Sequence, residues 1–382
     1  MKTIGVFGLN LSEKSGGAYR LIEGMMQHAS CSSNKYLYIT EKTSINNFPS
    51  NVELVLRNKA LRILSQALPR FPFNNYVFKN EVISKYLVKA LAGVNISNID
   101  GWLWPHCFSV VPNLKNISVI CHDMIHKHYP EYFDGAALSR RSKGESSLEH
   151  ADAILCPSYN TQKDLLGYYP NLRLKTRVFP ETACEILSEN ECADEIKNIK
   201  SKFDGVTLFI FVGVDWPHKN HKLLIDAAEI LSGMTDNKFK VVFVGSRRSN
   251  SINSLLKDKQ LHDKVIDVGP VSRRELAAYY YVSRALLFPS LCEGFGIPLV
   301  EAMHYKLPIV ASNQSCMPEI CGESAKLLSP DKPDLWAKHM FQLLNDETQY
   351  AKYSQLSHLR SNEFTWQKTW NALDLAFEEL LY

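Results

Sequence analysis

Short apolar segments alternate with amphipathic ones along nearly the whole chain, and this alternation constrains the fold more than any other feature. The apolar segments predict buried strands, and the amphipathic stretches between them predict helices. Strands that are separated by helices pair in parallel, so the pattern predicts an α/β fold with parallel sheets. The predicted strands are Thr3–Phe7, Tyr36–Ile39, Gly101–Trp104, Ser118–Cys121, Ala153–Cys156, Arg177–Phe179, Val206–Val212, Lys240–Val244, Val265–Val268, Ala285–Phe288 and Ile309–Ala311.

A chain of 382 residues is long for one hydrophobic core, so we expect two doubly wound, Rossmann-like domains. The polar, acidic segment between Pro180 and Phe203 is the natural boundary. We therefore predict domains at 1–185 and 186–365. The remaining residues, 366–382, place apolar side chains at helical spacing and predict a helix that packs either on its own domain or on the N-terminal one.

The composition excludes several classes of protein. The net charge of +3 is too small to indicate a nucleic-acid partner. No apolar run in the sequence reaches the length of a membrane-spanning helix. The nine cysteines include no Cys-x-x-Cys pair, which is typical of a reducing compartment and argues against a structural zinc site. We therefore expect a cytoplasmic protein.

The stretch 57–89 differs from the rest of the chain because it carries seven Lys or Arg residues and one Glu among apolar residues. A basic amphipathic surface of this kind can bind anionic lipid. A solvated helix face has the same composition, so both interpretations stay open. The first one favours peripheral contact with the inner face of the cytoplasmic membrane.

The segment from Glu293 to Glu301 combines glycines, a predicted helix start and two carboxylates. It lies between two predicted strands and hence at the carboxyl edge of a parallel sheet, where such folds bind ligands. Gly294 and Gly296, on either side of Phe295, let the backbone approach a ligand, and the helix offers free N–H groups to an anion. We place Glu301 in the first turn of that helix. The segment predicts a site for a phosphate that carries a sugar.

Other polar residues also follow predicted strands. Lys219 and Arg247 can each place a positive charge near a diphosphate. Gly16 and Gly17 follow the first strand and permit close approach of a ligand. A Gly-Gly pair is equally typical of an ordinary tight turn, so both interpretations stay open. Ser272 and Glu275 have the spacing of a capping box at a helix start.

His122 follows the strand Ser118–Cys121 and has the position of a ligand-site residue. Together with His126 and His128 it forms a spacing that can hold zinc, but the sequence contains no second cluster of ligands. We therefore predict no metal site and interpret His126 and His128 as packed, hydrogen-bonded side chains.

Taken together, these motifs resemble the retaining glycosyltransferases of family 4, whose GT-B fold consists of two Rossmann-like domains facing a cleft. The Glu293-x7-Glu301 pattern fits that family closely, and 211–220 and 268–276 resemble its phosphate-binding and base-binding segments. Residues 122–133 resemble a segment of bacterial mannosyl- and rhamnosyltransferases of surface polysaccharide synthesis. The resemblance covers most of the chain and is strongest from 206 to 325.

The resemblance implies a role for each motif. Glu301 would hold the donor ribose, and Glu293 would contact sugar hydroxyls near the reacting carbon. Lys219 would neutralise charge on the leaving diphosphate, and His122 would contact the donor sugar. The backbone N–H groups of 294–296 would bind phosphate and sugar.

The phosphate site departs from the family in one respect. Many members carry an arginine a few residues before the lysine, where this chain has Val214, and Arg247 is the candidate to replace it. Gly16, Gly17 and Ser272 complete the predicted donor site. The sequence has no Asp-x-Asp motif, which predicts catalysis without a metal or other cofactor.

The expected activity is transfer of a hexosyl group, mannose first, from a nucleotide-sugar such as GDP-mannose. The expected acceptor is a lipid-linked oligosaccharide or polysaccharide in the synthesis of the O-antigen of lipopolysaccharide. GDP-rhamnose or a UDP-sugar, a small-molecule acceptor, and a non-catalytic sugar-binding protein are the alternatives. A dinucleotide-dependent oxidoreductase is disfavoured because the sequence has no Gly-x-Gly-x-x-Gly turn.

Overall fold

The computed structural model describes residues 1–8, 17–40, 43, 47–56, 98–105, 114, 116–247, 252, 256, 257, 259 and 261–381. The chain divides into two compact units. One unit consists of Met1–Cys184 together with Thr365–Tyr382, and the other is Glu185–Phe364. Gly16 and the basic stretch 57–89 lie outside the described residues.

The N-terminal unit contains a sheet of seven parallel strands. In chain order these are β1 (Thr3–Phe7), β2 (Lys35–Thr40), β3 (Val52–Leu56), β4 (Gly101–Trp104), β5 (Ile117–Ile120), β6 (Ala153–Cys156) and β7 (Thr176–Val178). The order across the sheet is β3-β2-β1-β4-β5-β6-β7. Its helices within the described ranges up to residue 184 are α1 (Gly17–Gln27), α2 (Ile125–His128), α3 (Gly135–Glu145) and α4 (Tyr159–Tyr168).

The C-terminal unit contains a sheet of six parallel strands, β8 (Thr207–Val212), β9 (Phe239–Val244), β10 (Val265–Gly269), β11 (Ser283–Phe288), β12 (Ile309–Ser312) and β13 (Ala325–Leu328). The order across this sheet is β10-β9-β8-β11-β12-β13. Helices that the structure describes in this unit are α5 (Ala193–Lys202), α6 (His221–Ser232), α7 (Arg273–Val282), α8 (Ile297–His304), α9 (Met317–Cys321), α10 (Pro333–Asn345) and α11 (Glu347–Ser361). The predicted α/β class with two parallel sheets is confirmed.

Each predicted strand is present, with ends that agree within two residues. The apolar pattern did not predict β3 and β13, each of which is one of the two outer strands of its sheet. Three residues of β3 are partly buried and two are exposed, and the two central residues of β13 are partly buried. An outer strand needs fewer apolar residues than a central one, so its sequence pattern is weaker.

The last described helix, α12 (Trp366–Leu381), packs within the N-terminal unit. Trp370, Leu373 and Phe377 are at most 1% exposed and belong to the same core cluster as the residues of α1 and β2. On its polar side, Asp374 accepts hydrogen bonds from Ser32, Asn34 and Tyr36. Within the described part of the chain, no helix combines the length and the apolar character that crossing a bilayer requires.

Candidate active site

The strand order of the C-terminal sheet reverses between β8 and β11, which lie side by side. In sheets of this type, ligands bind beyond the carboxyl ends of the strands at such a reversal. Lys219 lies in the loop after β8, and Glu293 lies in the loop after β11. The strand order therefore brings together two predicted site residues that are 74 positions apart in the chain.

Lys219 and Glu293 form an ion pair. The Lys219 Nζ donates a hydrogen bond to Glu293 Oε1 at 2.5 Å, and the two side chains are only 15% and 10% exposed. The ammonium group also lies 5.5 Å from the centre of the Phe288 ring, at the end of β11. A positive charge is thus fixed at the strand reversal.

The backbone around Lys219 is held by the neighbouring loops. Lys219 ends a 3-10 turn that starts at Pro217, and the next residue, Asn220, adopts a left-handed conformation with φ of 56°. The Asn220 side chain donates to the carbonyl of Pro330 at 2.8 Å. The N–H of Leu291 donates to the carbonyl of His218 at 2.7 Å, which joins the loop after β8 to the loop after β11.

Ser315 holds the backbone of Glu293 from a third loop. The Ser315 hydroxyl accepts a hydrogen bond from the Glu293 N–H at 3.1 Å and donates to the Glu293 carbonyl at 2.9 Å. Ser315 itself has a φ of 53°, in the left-handed region. Ser315 was not among the predicted site residues, although its position just after β12 places it at the same edge of the sheet.

Gly296 ends the glycine loop and caps α8. It has a φ of 91°, and an added Cβ would lie 2.9 Å from Leu299 Cδ1, so the position requires glycine. Phe295 is 3% exposed and packs edge-on against Phe364 at 5.7 Å. The Phe295 ring is therefore part of the core, and the loop 294–296 can offer a ligand only its backbone groups.

The placement of Glu301 in the first turn of its helix is wrong. Helix α8 begins at Ile297, because Gly296 caps it and Pro298 occupies its second position, so Glu301 is the fifth helical residue. Its carboxylate instead accepts a hydrogen bond from the hydroxyl of Tyr280, on α7, at 2.8 Å. Tyr280 was not among the predicted site residues, and no local motif indicates it.

Arg247 follows β9, but its guanidinium group pairs with the carboxylate of Asp267, on β10. It also donates to the carbonyl of Gly245 at 2.6 Å. Burial lowers the pKa of Arg247, while the nearby Asp215 opposes that shift. The structure thus gives Arg247 a carboxylate partner, and its contact with a diphosphate stays a prediction.

Ser272 occupies the position before α7, and the predicted capping box is confirmed. The Ser272 hydroxyl accepts a hydrogen bond from the Glu275 N–H at 3.2 Å, and the Glu275 carboxylate accepts one from the Ser272 N–H at 2.9 Å. This reciprocal pair fixes the start of the helix that carries Tyr280.

In the N-terminal unit, His122 lies just beyond β5 and is 26% exposed. Its Nε2–H donates to the carbonyl of Pro105, after β4, at 2.6 Å, and its Nδ1 lies 3.6 Å from Glu181 Oε1. Burial opposes the charged form, but the Glu181 carboxylate, the Pro105 carbonyl and Asp123 together outweigh it and raise the pKa of His122. Gly17, also predicted for the site, is the first residue of α1.

Of the other two histidines of this segment, His126 is confirmed as a packed, hydrogen-bonded side chain, because it is 7% exposed and pairs with Glu145. The prediction of packing is wrong for His128, which is exposed, although its Nε2 lies 3.2 Å from Asp164. Burial would raise the pKa of Glu145, but hydrogen bonds from His126, Lys127 and other neighbours lower it to about 2. Among the residues that the structure describes, no group of three potential ligands is gathered around a metal position.

Solved structures of other proteins share the fold of this chain. The sucrose-phosphate synthase from Thermosynechococcus elongatus aligns over 100% of this chain and 99% of its own, with a TM-score of 0.72 and 17% identity. WaaG, a glycosyltransferase involved in lipopolysaccharide biosynthesis, aligns over 100% and 99% with a TM-score of 0.69 and 13% identity. Anabaena HepE, solved with UDP and glucose, aligns over the full length of both chains with a TM-score of 0.71 and 14% identity.

The fold, together with the sequence comparisons, defines a glycosyltransferase of the GT-B type. More narrowly, residues 193–358 match the family described as glycosyl transferases group 1, so the C-terminal unit contains a domain of that family.

Curated relatives extend the similarity toward the N-terminus. The O-antigen chain mannosyltransferase RfbU of Salmonella typhimurium is 27% identical over 248 residues, which are 64% of this chain and 66% of that protein. The O-antigen chain mannosyltransferase B of Escherichia coli is 25% identical over 266 residues, 68% of this chain and 69% of that protein. The Escherichia coli mannosyltransferase WbdA is 28% identical over 264 residues, but these are 32% of its length.

Proposed function

We propose that the protein is a retaining glycosyltransferase that transfers a mannosyl group from GDP-mannose to a lipid-linked oligosaccharide or polysaccharide in O-antigen synthesis. The Lys219–Glu293 pair at the strand reversal is the observation that carries this proposal. It lies in the domain that matches the glycosyl transferases group 1 family. The names of the relatives RfbU and mannosyltransferase B support mannose as the sugar and the O-antigen as the product.

The chemistry requires stabilisation of a leaving nucleoside diphosphate. When the bond from the anomeric carbon to the phosphate oxygen breaks, negative charge develops on the diphosphate and positive charge on the sugar. Lys219 and the N–H groups at the start of α8 stabilise the diphosphate. A lysine ammonium has three donors, so Lys219 can bind a phosphate oxygen while it keeps its bond to Glu293.

The remaining residues orient the sugar in this proposal. Glu293 accepts hydrogen bonds from sugar hydroxyls near the reacting carbon, and Glu301 accepts those of the ribose. His122 contacts the donor sugar through its ring. The acceptor hydroxyl attacks from the face that the diphosphate leaves, so the configuration at the anomeric carbon is retained. No step requires a metal.

A UDP-sugar donor is the second candidate, and one observation favours it. HepE has the same fold and was solved with UDP and glucose. The two candidates differ in the base, which the segment 268–276 would recognise.

Thermal melting with GDP, UDP and ADP distinguishes these donors, because a ligand that binds only the folded protein raises the melting temperature. We expect GDP to give the largest rise. A larger rise with UDP would overturn GDP-mannose in favour of a UDP-sugar. A nucleotide that binds without any hydrolysis or transfer of the matching nucleotide-sugar would indicate a non-catalytic sugar-binding protein.

We also propose that the protein contacts the inner face of the cytoplasmic membrane through the stretch 57–89. The support is its seven basic residues against one acidic residue, together with a lipid-linked acceptor in the proposed reaction. Sedimentation with vesicles that contain anionic lipid should require these charges. Neutralising Lys79, Lys85 and Lys89 should reduce the bound fraction, and unchanged sedimentation would contradict this placement.

A further inference from the structure

A buried tyrosine reaches the carboxylate that the proposed function assigns to the donor. Tyr280 is 1% exposed within α7, and its hydroxyl donates to Glu301 Oε2, on α8, at 2.8 Å. Glu301 is itself only partly buried, so the hydrogen bond connects a fixed side chain with one that reaches the surface of the site. The bond therefore restricts the rotamers of the Glu301 side chain.

The Tyr280 ring is held in turn by Tyr305, which follows α8. The two rings are stacked, with centres 5.1 Å apart and planes 12° from parallel. The hydroxyl of Tyr305 accepts a hydrogen bond from the N–H of Leu187 at 3.1 Å. Tyr305 is therefore fixed both by a neighbouring ring and by the main chain.

Tyr281 also binds the main chain of Leu187, at its carbonyl group. Its hydroxyl donates to the carbonyl of Leu187 at 3.1 Å, and its ring packs edge-on against Tyr305 at 4.9 Å. Burial raises the pKa of both Tyr281 and Tyr305, so their hydroxyls stay neutral at physiological pH. The three tyrosines thus connect Glu301 to Leu187, close to Glu185, where the C-terminal unit begins.

We propose that Tyr280 is a positioning residue for Glu301, fixing its carboxylate before the nucleotide arrives. This inference rests on the proposed role of Glu301 in binding the donor ribose. A glutamate side chain loses rotational freedom when it binds a ligand, and that loss weakens binding. A carboxylate already fixed by Tyr280 loses less, so the hydroxyl of Tyr280 strengthens nucleotide binding without touching the nucleotide.

The test is a double-mutant cycle of Tyr280→Phe and Glu301→Ala, with GDP binding measured by calorimetry. Tyr280→Phe keeps the ring stack on Tyr305 and removes only the hydroxyl, and Glu301→Ala removes the acceptor of its hydrogen bond. We expect Tyr280→Phe to weaken GDP binding about three- to tenfold, and Glu301→Ala to weaken it about ten- to hundredfold. The double variant should bind GDP like Glu301→Ala alone, because Tyr280 acts through that carboxylate.

Tyr279→Phe is the matched control, because Tyr279 is a buried neighbour on the same helix, 5% exposed. We expect it to bind GDP like the wild type. In steady-state assays, Tyr280→Phe should raise KM for the donor and leave kcat nearly unchanged, since the ribose is held equally in ground and transition states.

The outcomes separate this inference from the proposed function. If Glu301→Ala binds GDP as tightly as the wild type, the donor role of Glu301 is wrong. If Glu301→Ala weakens binding but Tyr280→Phe matches the Tyr279→Phe control, or if the two effects multiply, the positioning role is overturned. If Tyr280→Phe does not fold, the same cycle with Tyr280→Met decides, because that variant also removes the hydroxyl that reaches Glu301 and fills the buried position with a flexible apolar side chain.

Discussion

The Lys219 ammonium and the Glu293 carboxylate are 2.5 Å apart, although they come from loops after two different strands. Each fixes the position of the other at the point where the strand order reverses. In the proposed reaction, one stabilises the leaving group and the other binds the sugar. Removing either residue should therefore damage catalysis more than stability.

We predict that Lys219→Ala and Glu293→Ala each lower kcat by about a hundredfold to a thousandfold, the range seen when one preorganised charge or donor is removed. Steady-state transfer assays and circular dichroism check activity and folding in parallel. Lys222→Ala is the control, since Lys222 is 64% exposed and pairs with Asp226 on the surface of α6. Wild-type rates in both site variants would refute the assignment.

Chelation should leave the reaction unaffected. In the proposed mechanism the charge of Lys219 and the N–H groups of α8 stabilise the diphosphate, so no metal has to bridge its oxygens. We expect the same transfer rate with about 10 mM EDTA as with added Mg²⁺ or Mn²⁺. A rate that falls with EDTA and returns with a divalent cation would contradict metal-independent catalysis.

Arg247 and Asp267 should contribute to stability as a pair. Arg247→Met leaves a largely buried carboxylate without its partner, because Asp267 is only 13% exposed. We expect this variant to lose about 1–3 kcal/mol of unfolding free energy in urea titrations. Adding Asp267→Asn should recover part of that loss, and equal stability of the single and double variants would argue against coupling.

His221 should make the protein less stable in acid. It begins α6, is 6% exposed, and packs edge-on against Phe211 and Phe243, with ring centres 4.4 and 5.0 Å away. Burial, reinforced by the charge of Arg247, lowers the pKa of His221 to about 3. Between that pKa and an unfolded value of about 6.5, only the unfolded chain binds the proton, so stability falls as the pH falls through this range.

Replacing His221 by Gln removes that proton site. Urea titrations from pH 7 to pH 4 (roughly the range between the two pKa values) should show a smaller loss of unfolding free energy in His221→Gln than in the wild type. The comparison concerns the slope with pH, so a constant loss from altered packing does not affect it. Parallel slopes would show that His221 is not responsible for acid sensitivity.

The sequence predicted the central strands well because each of them is buried on both faces and reads as an apolar run. It predicted Ser272 and Glu275 as a capping box because that signal is local. The start of α8 was harder to place, since Pro298 suits the first helical position, whereas the structure begins the helix one residue earlier, at Ile297. The one-residue difference moved Glu301 out of the first turn.

The residues that support the site could not be predicted in the same way. Ser315 and Tyr280 act on Glu293 and Glu301 from loops or helices that only the tertiary structure brings close. Asp267 likewise pairs with Arg247 across neighbouring strands. These contacts depend on the order of the strands in the sheet, which cannot be predicted from the local patterns of a single sequence.

The N-terminal unit is built from two separate parts of the chain, and this has a consequence for protein synthesis. Residues 185–364 are continuous, so they can fold as soon as they leave the ribosome. The N-terminal unit cannot close its core at that stage, because Trp370, Leu373 and Phe377 have not yet been made. The part translated first is therefore the part completed last, and until α12 docks, the apolar surface around α1 and β2 stays open to chaperones.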